Sequence, residues 1–170
     1  MRILGIDPGL ATIGWGVIES DAYRPKAVAY GSIITPAKTD TEKRHHMIYS
    51  ELSAIIREHK PEEMAVEELF WNTNQTTGIR VAEARGVILL CGERHGLKIS
   101  EYTPLQVKQA VVGYGRAEKS QVMDMVRRLC NLKAPPKPDD AADAVALALC
   151  HARSSTSLLY RGEREECSTI

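Results

Sequence analysis

The chain has 170 residues, of which 44% are hydrophobic and 26% are charged. This length supports one sizeable hydrophobic core, so we expect one compact domain over residues 1–154 and a flexible tail over residues 155–170. No stretch approaches the roughly 18 consecutive apolar residues of a membrane span, and the chain opens on a strand-like run without the features of a signal peptide. Four widely separated cysteines without metal-ligand spacing favour reduced thiols and a cytoplasmic protein.

Positive charge is concentrated in one stretch of the chain. Lys and Arg together number 22, as do Asp and Glu, and the resulting net charge of zero gives no support to nucleic-acid binding. Between Thr103 and Lys133, however, the acidic residues are Glu118 and Asp124 alone. The basic residues of that stretch are Lys108, Arg116, Lys119, Arg127, Arg128 and Lys133. A locally positive surface can therefore coexist with acidic groups elsewhere.

The first third of the chain is typical of an antiparallel sheet followed by a helix. Strand-like runs cover residues 2–6, 13–18 and 27–35, and the short polar links between them favour a meander. The sequence Thr39-Asp40-Thr41-Glu42 matches a capping box, and apolar residues then recur at helical spacing up to Lys60.

Strands and helices alternate in the rest of the chain. The patterns predict strands at 64–70 and 97–102 and a long helix at 77–94. Three further helices are predicted at 103–113, 117–129 and 139–151, the first of them with Thr103 as N-cap and Pro104 at the first helical position. The order βββαβαβ followed by helices predicts an α/β fold. Its mixed five-stranded sheet starts antiparallel, ends parallel and is flanked by helices.

Several acidic residues are candidates for chemistry, although each has an ordinary structural explanation. Asp7 precedes Pro-Gly, which is typical of a turn. Glu67 and Glu68 point to opposite faces of one strand, and alternation alone does not choose between them. Asp140 and Asp143 lie one turn apart at a helix start, where a capping role would account for both.

Taken together, these acids indicate a metal site. In open α/β sheets, functional groups gather at the carboxyl ends of the strands, where Asp7 and Glu67 would lie as neighbours. A final helix packed across that edge would add Asp140 and Asp143. Converging carboxylates repel one another without cations, and hard oxygen ligands suit Mg²⁺ or Mn²⁺. Two such ions about 4 Å apart stabilise both the attacking and the leaving oxygens of a phosphodiester displacement, which is nuclease chemistry.

A set of ordered sequence blocks points to a known family. The blocks are Gly5-Ile6-Asp7-Pro8-Gly9, Gly14-Trp15-Gly16-Val17, Val66-Glu67-Glu68-Leu69-Phe70, Ala84-Arg85-Gly86-Val87, Pro104-Leu105-Gln106-Val107-Lys108-Gln109, Gly113-Tyr114-Gly115-Arg116-Ala117-Glu118-Lys119-Ser120-Gln121-Val122 and Asp140-Ala141-Ala142-Asp143-Ala144. In this order and spacing, from about Ile3 to Ala152, the sequence resembles the RuvC family of Holliday junction resolvases. The resemblance implies a ribonuclease-H-like fold.

The resemblance also implies a function. Asp7, Glu67, Asp140 and Asp143 would bind two Mg²⁺ ions, with Mn²⁺ as a substitute, so Glu67 is preferred over Glu68. The enzyme would be a homodimer that cuts four-way junction DNA with symmetric, ligatable nicks during recombination and repair. It would work with a branch-migration motor of the RuvA and RuvB type. Water activated by the metal would attack the phosphodiester without a covalent enzyme intermediate.

The resemblance further indicates residues that contact DNA. Lys108 and Lys119 match basic positions beside the site, and Lys119 would also assist catalysis by stabilising charge on the phosphate. Phe70 would stack on an unpaired base, and Arg116 is a further candidate for a DNA contact. Without the resemblance, solvated helix faces would explain the lysines and core packing would explain Phe70.

One helix face has two interpretations. Residues of the predicted helix at 77–94 could pack on a partner helix in a dimer, although a core-facing role is favoured from the sequence alone. These residues are Ile79, Ala82, Gly86, Leu89 and Leu90.

Other functions fit part of the pattern. Another ribonuclease-H-like enzyme, acting on RNA–DNA hybrids or as a transposase core, would carry similar acids. An actin-like ATPase or sugar kinase also begins with a Gly-Ile-Asp strand, but such folds need two lobes, which exceed this length. A non-catalytic junction-binding protein would have no need of four acids.

Overall fold

A five-stranded mixed sheet forms the centre of the computed structural model, which describes residues 1–20, 24–69 and 75–166. Its strands are β1 (Arg2–Asp7), β2 (Thr12–Glu19), β3 (Lys26–Ile34), β4 (Glu63–Glu67) and β5 (Lys98–Tyr102). They lie in the order β3-β2-β1-β4-β5. The pairs β3–β2 and β2–β1 are antiparallel, whereas β1–β4 and β4–β5 are parallel. The predicted fold class is therefore confirmed.

Helices cover both faces of the sheet. They are α1 (Thr41–His59), α2 (Gln75–Arg94), α3 (Pro104–Val112), α4 (Lys119–Leu129) and α5 (Asp139–Glu166). Because side chains alternate along a strand, Leu4 and Ile6 join the core beneath α1 and α2, whereas Ile3 joins the core beneath α3, α4 and α5. No helix in the described part of the chain is both apolar enough and long enough to cross a membrane.

Three glycines let α5 lie directly on the sheet. A Cβ atom on Gly5 would stand 1.9 Å from the carbonyl oxygen of Ala144, and one on Gly14 would stand 2.0 Å from that of Asp140. A Cβ on Gly16 would stand 2.5 Å from a methyl carbon of Val145. Any side chain at these positions would push the helix away. The glycines thus set the distance between the first turns of α5 and strands β1 and β2.

Two helix ends differ from the sequence expectations. The capping box proposed at residues 39–42 does not form; α1 starts after Asp40, whose carboxylate pairs with Lys43 at 2.5 Å instead of capping the helix. The backbone of α5 continues to Glu166, beyond the predicted end at His151. The sequence after His151 lacks proline, so no residue forces the helix to stop where its core-facing pattern fades. A flexible tail over 155–170 stays a prediction, and residues 167–170 lie outside the described part.

The cap of α3 agrees with its prediction. The Thr103 side chain accepts a hydrogen bond from the Gln106 amide at 3.2 Å, and the Gln106 side chain accepts one from the Thr103 amide at 2.8 Å. Pro104 occupies the first helical turn, and Gly113 ends the helix with φ of 100°. This short helix is therefore fixed at both ends, which matters because it carries Lys108.

The core interpretation of α2 is wrong for three of its residues, Ile79, Gly86 and Leu90. Ala84, Ile88 and Cys91 face the sheet and are fully buried, whereas Ile79 is 53% exposed and Leu90 is 56% exposed. The sequence predicted one apolar stripe, but the helix carries apolar residues on two sides. The second side remains open to solvent in the single chain.

The three cysteines in the described part of the chain are buried and reduced. Burial raises the pKa of both Cys130 and Cys150 to about 11, so neither thiol ionises near neutral pH. They serve as small apolar groups, as the sequence predicted.

A buried hydrogen-bonded group joins β4, β5 and α5. His151 is 3% exposed; its Nδ1 atom lies 2.7 Å from the Tyr102 hydroxyl, and its Nε2 atom contacts a carboxylate oxygen of Glu63. Every polar atom of the imidazole thus has a partner. The sequence alone predicts no role for His151, because no periodic pattern links three residues so far apart along the chain.

We expect His151→Ala to lower the free energy of unfolding by about 2–4 kcal/mol, because it opens a cavity and removes the imidazole that contacts both Tyr102 and Glu63. Urea unfolding measures the change. His46 is exposed on α1, and His46→Ala should change the free energy by less than about 0.5 kcal/mol. Equal effects of the two substitutions would contradict a structural role for the buried group.

Candidate active site

Asp7 and Glu67 end two neighbouring parallel strands. Ile6 of β1 pairs with Val66 of β4, and each acid follows its strand partner directly. Asp7 lies on the same face of β1 as Gly5, which is the face that α5 covers. By the same alternation Glu67 shares a face with Ala65, which belongs to the core beneath α5.

Glu68 differs from its neighbour in both direction and environment. It is exposed, and its backbone amide donates a hydrogen bond to the Tyr102 carbonyl at 2.9 Å. The choice between Glu67 and Glu68, which alternation alone left open, thus becomes clear once α5 is known to cover one face.

The start of α5 brings two more carboxylates to this edge. Asp7, Asp140 and Asp143 each offer one carboxylate oxygen, and these three atoms all lie within 4.8 Å of one another. All three side chains are half-buried. The spacing of three residues places Asp140 and Asp143 on one face of the helix, and the glycines beneath α5 bring that face close to Asp7. We call this set the carboxylate cluster.

Glu67 lies beside the carboxylate cluster but outside its 4.8 Å limit. It lines the same cavity as Asp143, and its charge raises the pKa of Asp7. Arg85 of α2 holds the end of β4, because its Nε donates a hydrogen bond to the Glu67 carbonyl at 3.3 Å while its guanidinium pairs with Glu101. Glu67 is therefore positioned to act on the same volume as the other three acids.

Burial and mutual repulsion perturb these carboxyl groups. Burial, followed by the charges of Glu67, Asp143 and Asp140, raises the pKa of Asp7 to about 7. Burial and the charge of Asp143 also raise the pKa of Glu67, and Lys119 opposes both shifts. Four acids thus gather where their charges are unfavourable without a cation, which is typical of a functional site.

Lys119 contacts the cluster directly. Its ammonium nitrogen lies 3.0 Å from an oxygen of Asp143 and 3.7 Å from one of Asp139, and the side chain is 52% exposed. The hydrogen bond to Asp143 is the main cause that raises the pKa of Lys119, so the group stays charged at neutral pH. Half of its surface remains available to a ligand.

A cavity of about 240 Å³ opens beside the cluster, and we call it the lysine cavity. Its polar lining consists of Glu67, Asp143, Lys108 and Lys119. Both lysines singled out from the sequence therefore face the acids across one space. Cations opposite carboxylates provide charge for a phosphate that the acids alone would repel.

A second cavity of about 560 Å³ reaches Asp140, and we call it the arginine cavity. It is lined by Gly9, Leu10, Ala11, Thr12, Arg44, Arg80, Val81 and Asp140. The sequence analysis assigned no role to Arg44 or Arg80. One feature of the sequence does indicate this cavity: Arg44 is a cation that lies four residues before Ile48, on the buried stripe of α1.

The remaining predicted DNA contacts have different outcomes. Arg116 is exposed between α3 and α4 and does not line either cavity. Phe70 and Trp71 lie outside the described residues, so the stacking role predicted for Phe70 stays a prediction. Arg127 and Arg128, which the sequence left unassigned, both pair with Asp124 at 2.7–2.8 Å.

We expect the raised pKa of Asp7 to make Asp7→Asn stabilise the metal-free protein at high pH. The folded state holds a proton on Asp7 up to a pH of about 7, whereas the unfolded chain loses it near 3.8. Folding therefore takes up a proton between these values, and the wild type loses stability as the pH rises through this window. Between pH 5 and pH 8 it should lose roughly 2–3 kcal/mol relative to the variant.

Urea unfolding in EDTA at both pH values measures this difference. Asp139→Asn is the matched control, because Asp139 neighbours the cluster without belonging to it; this variant keeps Asp7, so its stability should fall between pH 5 and pH 8 as much as that of the wild type. A constant difference between the wild type and Asp7→Asn across pH 5–8 would contradict the raised pKa.

The donor set fits a divalent cation. Three carboxylate oxygens within 4.8 Å can converge on one ion, and oxygen donors of this kind select hard cations. A cation would also remove the repulsion that raises the pKa of Asp7.

Comparison with known proteins gives the family. The family model described as crossover junction endodeoxyribonuclease RuvC matches residues 3–151. A protein of that name from Syntrophomonas wolfei is 55% identical over 154 residues, which cover 91% of this chain and 90% of the relative. The one from Heliobacterium modesticaldum is 56% identical over 156 residues, covering 92% and 96%.

A solved structure agrees with the sequence relatives. Thermus thermophilus RuvC in complex with Holliday junction substrate superposes with a TM-score of 0.87 at 33% identity, covering 91% of this chain and 94% of that one. The ribonuclease-H-like fold that the resemblance implied is thereby confirmed. The residues matched by the family model, 3–151, include the strands of the sheet after Arg2 and the carboxylate cluster. This chain therefore belongs to the RuvC family of crossover junction endodeoxyribonucleases.

Proposed function

We propose that this protein cuts four-way DNA junctions by metal-dependent hydrolysis of phosphodiesters. The observation that carries the proposal is the carboxylate cluster with two lysines beside it. Asp7, Asp140 and Asp143 would hold a divalent cation, and Glu67 would join them in holding a second. Mg²⁺ is the expected ion, with Mn²⁺ as a substitute. When bound, the ions supply Lewis acidity and a more acidic water.

The chain's own groups would bind and orient the phosphate. Lys119, fixed by Asp143, would place one charge at the scissile phosphate, and Lys108 would add a second from the far wall of the lysine cavity. Their charge opposes the build-up of negative charge as the phosphorus is attacked. A nucleophilic side chain is unnecessary, because water is the attacking group. Arg116 would contact the DNA, and Phe70 would stack on an unpaired base.

We propose a homodimer, which gives two active sites for the two matched cuts that a junction requires. The exposed side of α2, with Ile79, Gly86 and Leu90 spaced along one face, is suited to a partner helix. Cooperation with a branch-migration motor of the RuvA and RuvB type rests on the family resemblance, whereas a location in the cytoplasm rests on the pattern of cysteines.

A synthetic mobile four-way junction tests this function. We expect paired nicks at symmetric positions on opposed strands, only with Mg²⁺ or Mn²⁺ present, and ends that a ligase seals. Linear duplex and an RNA–DNA hybrid of the same sequence are the control substrates and should remain nearly uncut. Efficient cutting of the hybrid would instead favour another ribonuclease-H-like activity, and binding of the junction without any cut would overturn the proposal.

A further inference from the structure

Arg44 places a charge in the interior of the protein. It begins the buried stripe of α1 that continues with Ile48, Leu52 and Ile56. The residue is only 7% exposed. An arginine guanidinium does not lose its proton in proteins, so this buried group is permanently charged.

The hydrogen-bond partners of Arg44 are neutral. Its Nε donates a hydrogen bond to the Thr35 hydroxyl at 2.8 Å, and a terminal nitrogen donates to the Thr35 carbonyl at 3.4 Å. The Thr35 hydroxyl in turn donates to the Leu10 carbonyl. Within residues 1–20, 24–69 and 75–166, no carboxylate lies within 4.0 Å of the Arg44 nitrogens. A buried charge without a counterion is unfavourable, so an anion is the missing partner.

The arginine cavity gives such an anion a place. Arg44 lines it from α1, and Arg80 lines it from the exposed side of α2, so two guanidinium groups from different helices face one space. Asp140 lines the same cavity and belongs to the carboxylate cluster. Lys119 contacts Asp143 at 3.0 Å, so the cluster already has a cation of its own. The arginines therefore remain available for a ligand outside the cluster.

Position determines what that ligand is. A DNA strand whose scissile phosphate lies at the carboxylate cluster must continue away from it, and successive phosphates of one strand recur at short, regular intervals. The lysine cavity is lined by Asp143 and the arginine cavity by Asp140, so each cavity reaches one of the acids at the start of α5. A planar guanidinium group can bind two oxygens of one phosphate at once. This geometry suits a phosphodiester held in one position better than a freely diffusing anion.

We propose that the arginine cavity binds a phosphodiester next to the scissile one on the strand being cut, with Arg44 as a fixed anchor and Arg80 as a clamp at the entrance. This inference rests on the proposed function, since it needs a DNA strand across the cluster. Holding the neighbouring phosphate fixes the strand on both sides of the reacting bond, which positions the scissile phosphate for attack.

The test combines protein variants with neutral phosphates. Junctions carrying one methylphosphonate at successive linkages around the cut remove one negative charge at a time. We expect one flanking linkage at which neutralisation weakens wild-type binding in EDTA, and slows single-turnover cleavage with Mg²⁺, about tenfold. Arg80→Ala should lose about tenfold on the all-phosphate junction, and neutralising that linkage should cost it less than it costs the wild type, because Arg44 alone then holds the phosphate. Its salt dependence of binding should fall by about one ion.

Two more variants complete the design. Arg44→Lys keeps the charge but loses the planar pair of donors. Like Arg80→Ala, it should bind the all-phosphate junction more weakly than the wild type does and should lose less than the wild type when that linkage is neutralised. Arg94→Ala is the matched control, because Arg94 is exposed on the same helix about 21 Å farther along its axis. It should bind and cut as the wild type does. A thermal melt shows whether Arg44→Lys folds; if it does not, Arg80→Ala and the linkage scan decide the question.

The results can overturn the inference independently of the proposed function. The arginine cavity does not hold that phosphate if the wild type cuts the junction while Arg80→Ala behaves as Arg94→Ala does. The same conclusion follows if the loss caused by Arg80→Ala stays equally large whichever linkage is neutralised. If the wild type fails to cut any junction, the proposed function fails instead, whereas the linkage-specific loss of binding in EDTA still supports or overturns the phosphate contact.

Discussion

Replacing Asp7 with asparagine is expected to reduce junction cleavage by about 10³-fold or more while leaving junction binding nearly intact. The substitution removes a charge from the three-carboxylate cluster and weakens its hold on a divalent cation. Loss of Lewis-acid stabilisation amounts to several kcal/mol of activation free energy, which corresponds to this change in rate. Binding persists because Lys108 and Lys119 remain, and because one source of repulsion for phosphate has gone.

Single-turnover cleavage and a binding titration in EDTA give the two quantities separately. Asp139→Asn is the control, since Asp139 is an exposed acid at the same helix start and its 3.7 Å contact with Lys119 contributes little. Loss of binding with retained cutting would overturn the assignment of Asp7 to the metal site.

The second large effect is expected from Gly14→Ala, which adds one carbon beside the backbone of Asp140. That carbon would stand 2.0 Å from the carbonyl oxygen of Asp140, so the first turn of α5 must move. A displacement near 1 Å at reacting groups can cost about 10²-fold in rate, and overpacking costs about 1–3 kcal/mol of stability. We therefore expect a folded protein that binds the junction and cuts it roughly 10²-fold more slowly.

A glycine in the same sheet provides the comparison. A Cβ on Gly31 of β3 would stand 3.1 Å from the ring of Trp15, a side chain that can shift by a few tenths of an ångström. Gly31→Ala should therefore cleave nearly as the wild type does. Equal rates for Gly14→Ala and the wild type would show that the position of α5 tolerates displacement.

Local patterns in the sequence predicted most of the fold. Strand alternation, helical spacing and the Thr103-Pro104 cap all act over a few neighbouring residues, so the chain order of elements could be inferred directly. Asp7, Asp140 and Asp143 were singled out because their residue types suit one chemistry and because ordered blocks resemble a family. Each local pattern alone was compatible with a turn or a cap.

What the sequence did not reveal depends on contacts between distant segments. The exposure of Ile79 and Leu90 follows from which side of α2 meets the sheet, and a single helix with apolar residues on two sides does not specify this. The Tyr102–His151–Glu63 group and the arginine cavity each join three or more elements. The capping box at 39–42 failed because a motif match gives no information about competing partners such as Lys43.

The carboxylate cluster takes Asp7 from the first strand of the chain and Asp140 and Asp143 from the last helix. Nearly the whole chain must therefore be synthesised before the acids can meet. At about 5–20 residues per second, a growing chain lacks α5 for most of its time on the ribosome. A nascent or truncated chain that ends before Asp140 carries no complete metal site, so the order of elements itself keeps an unfinished nuclease from cutting DNA.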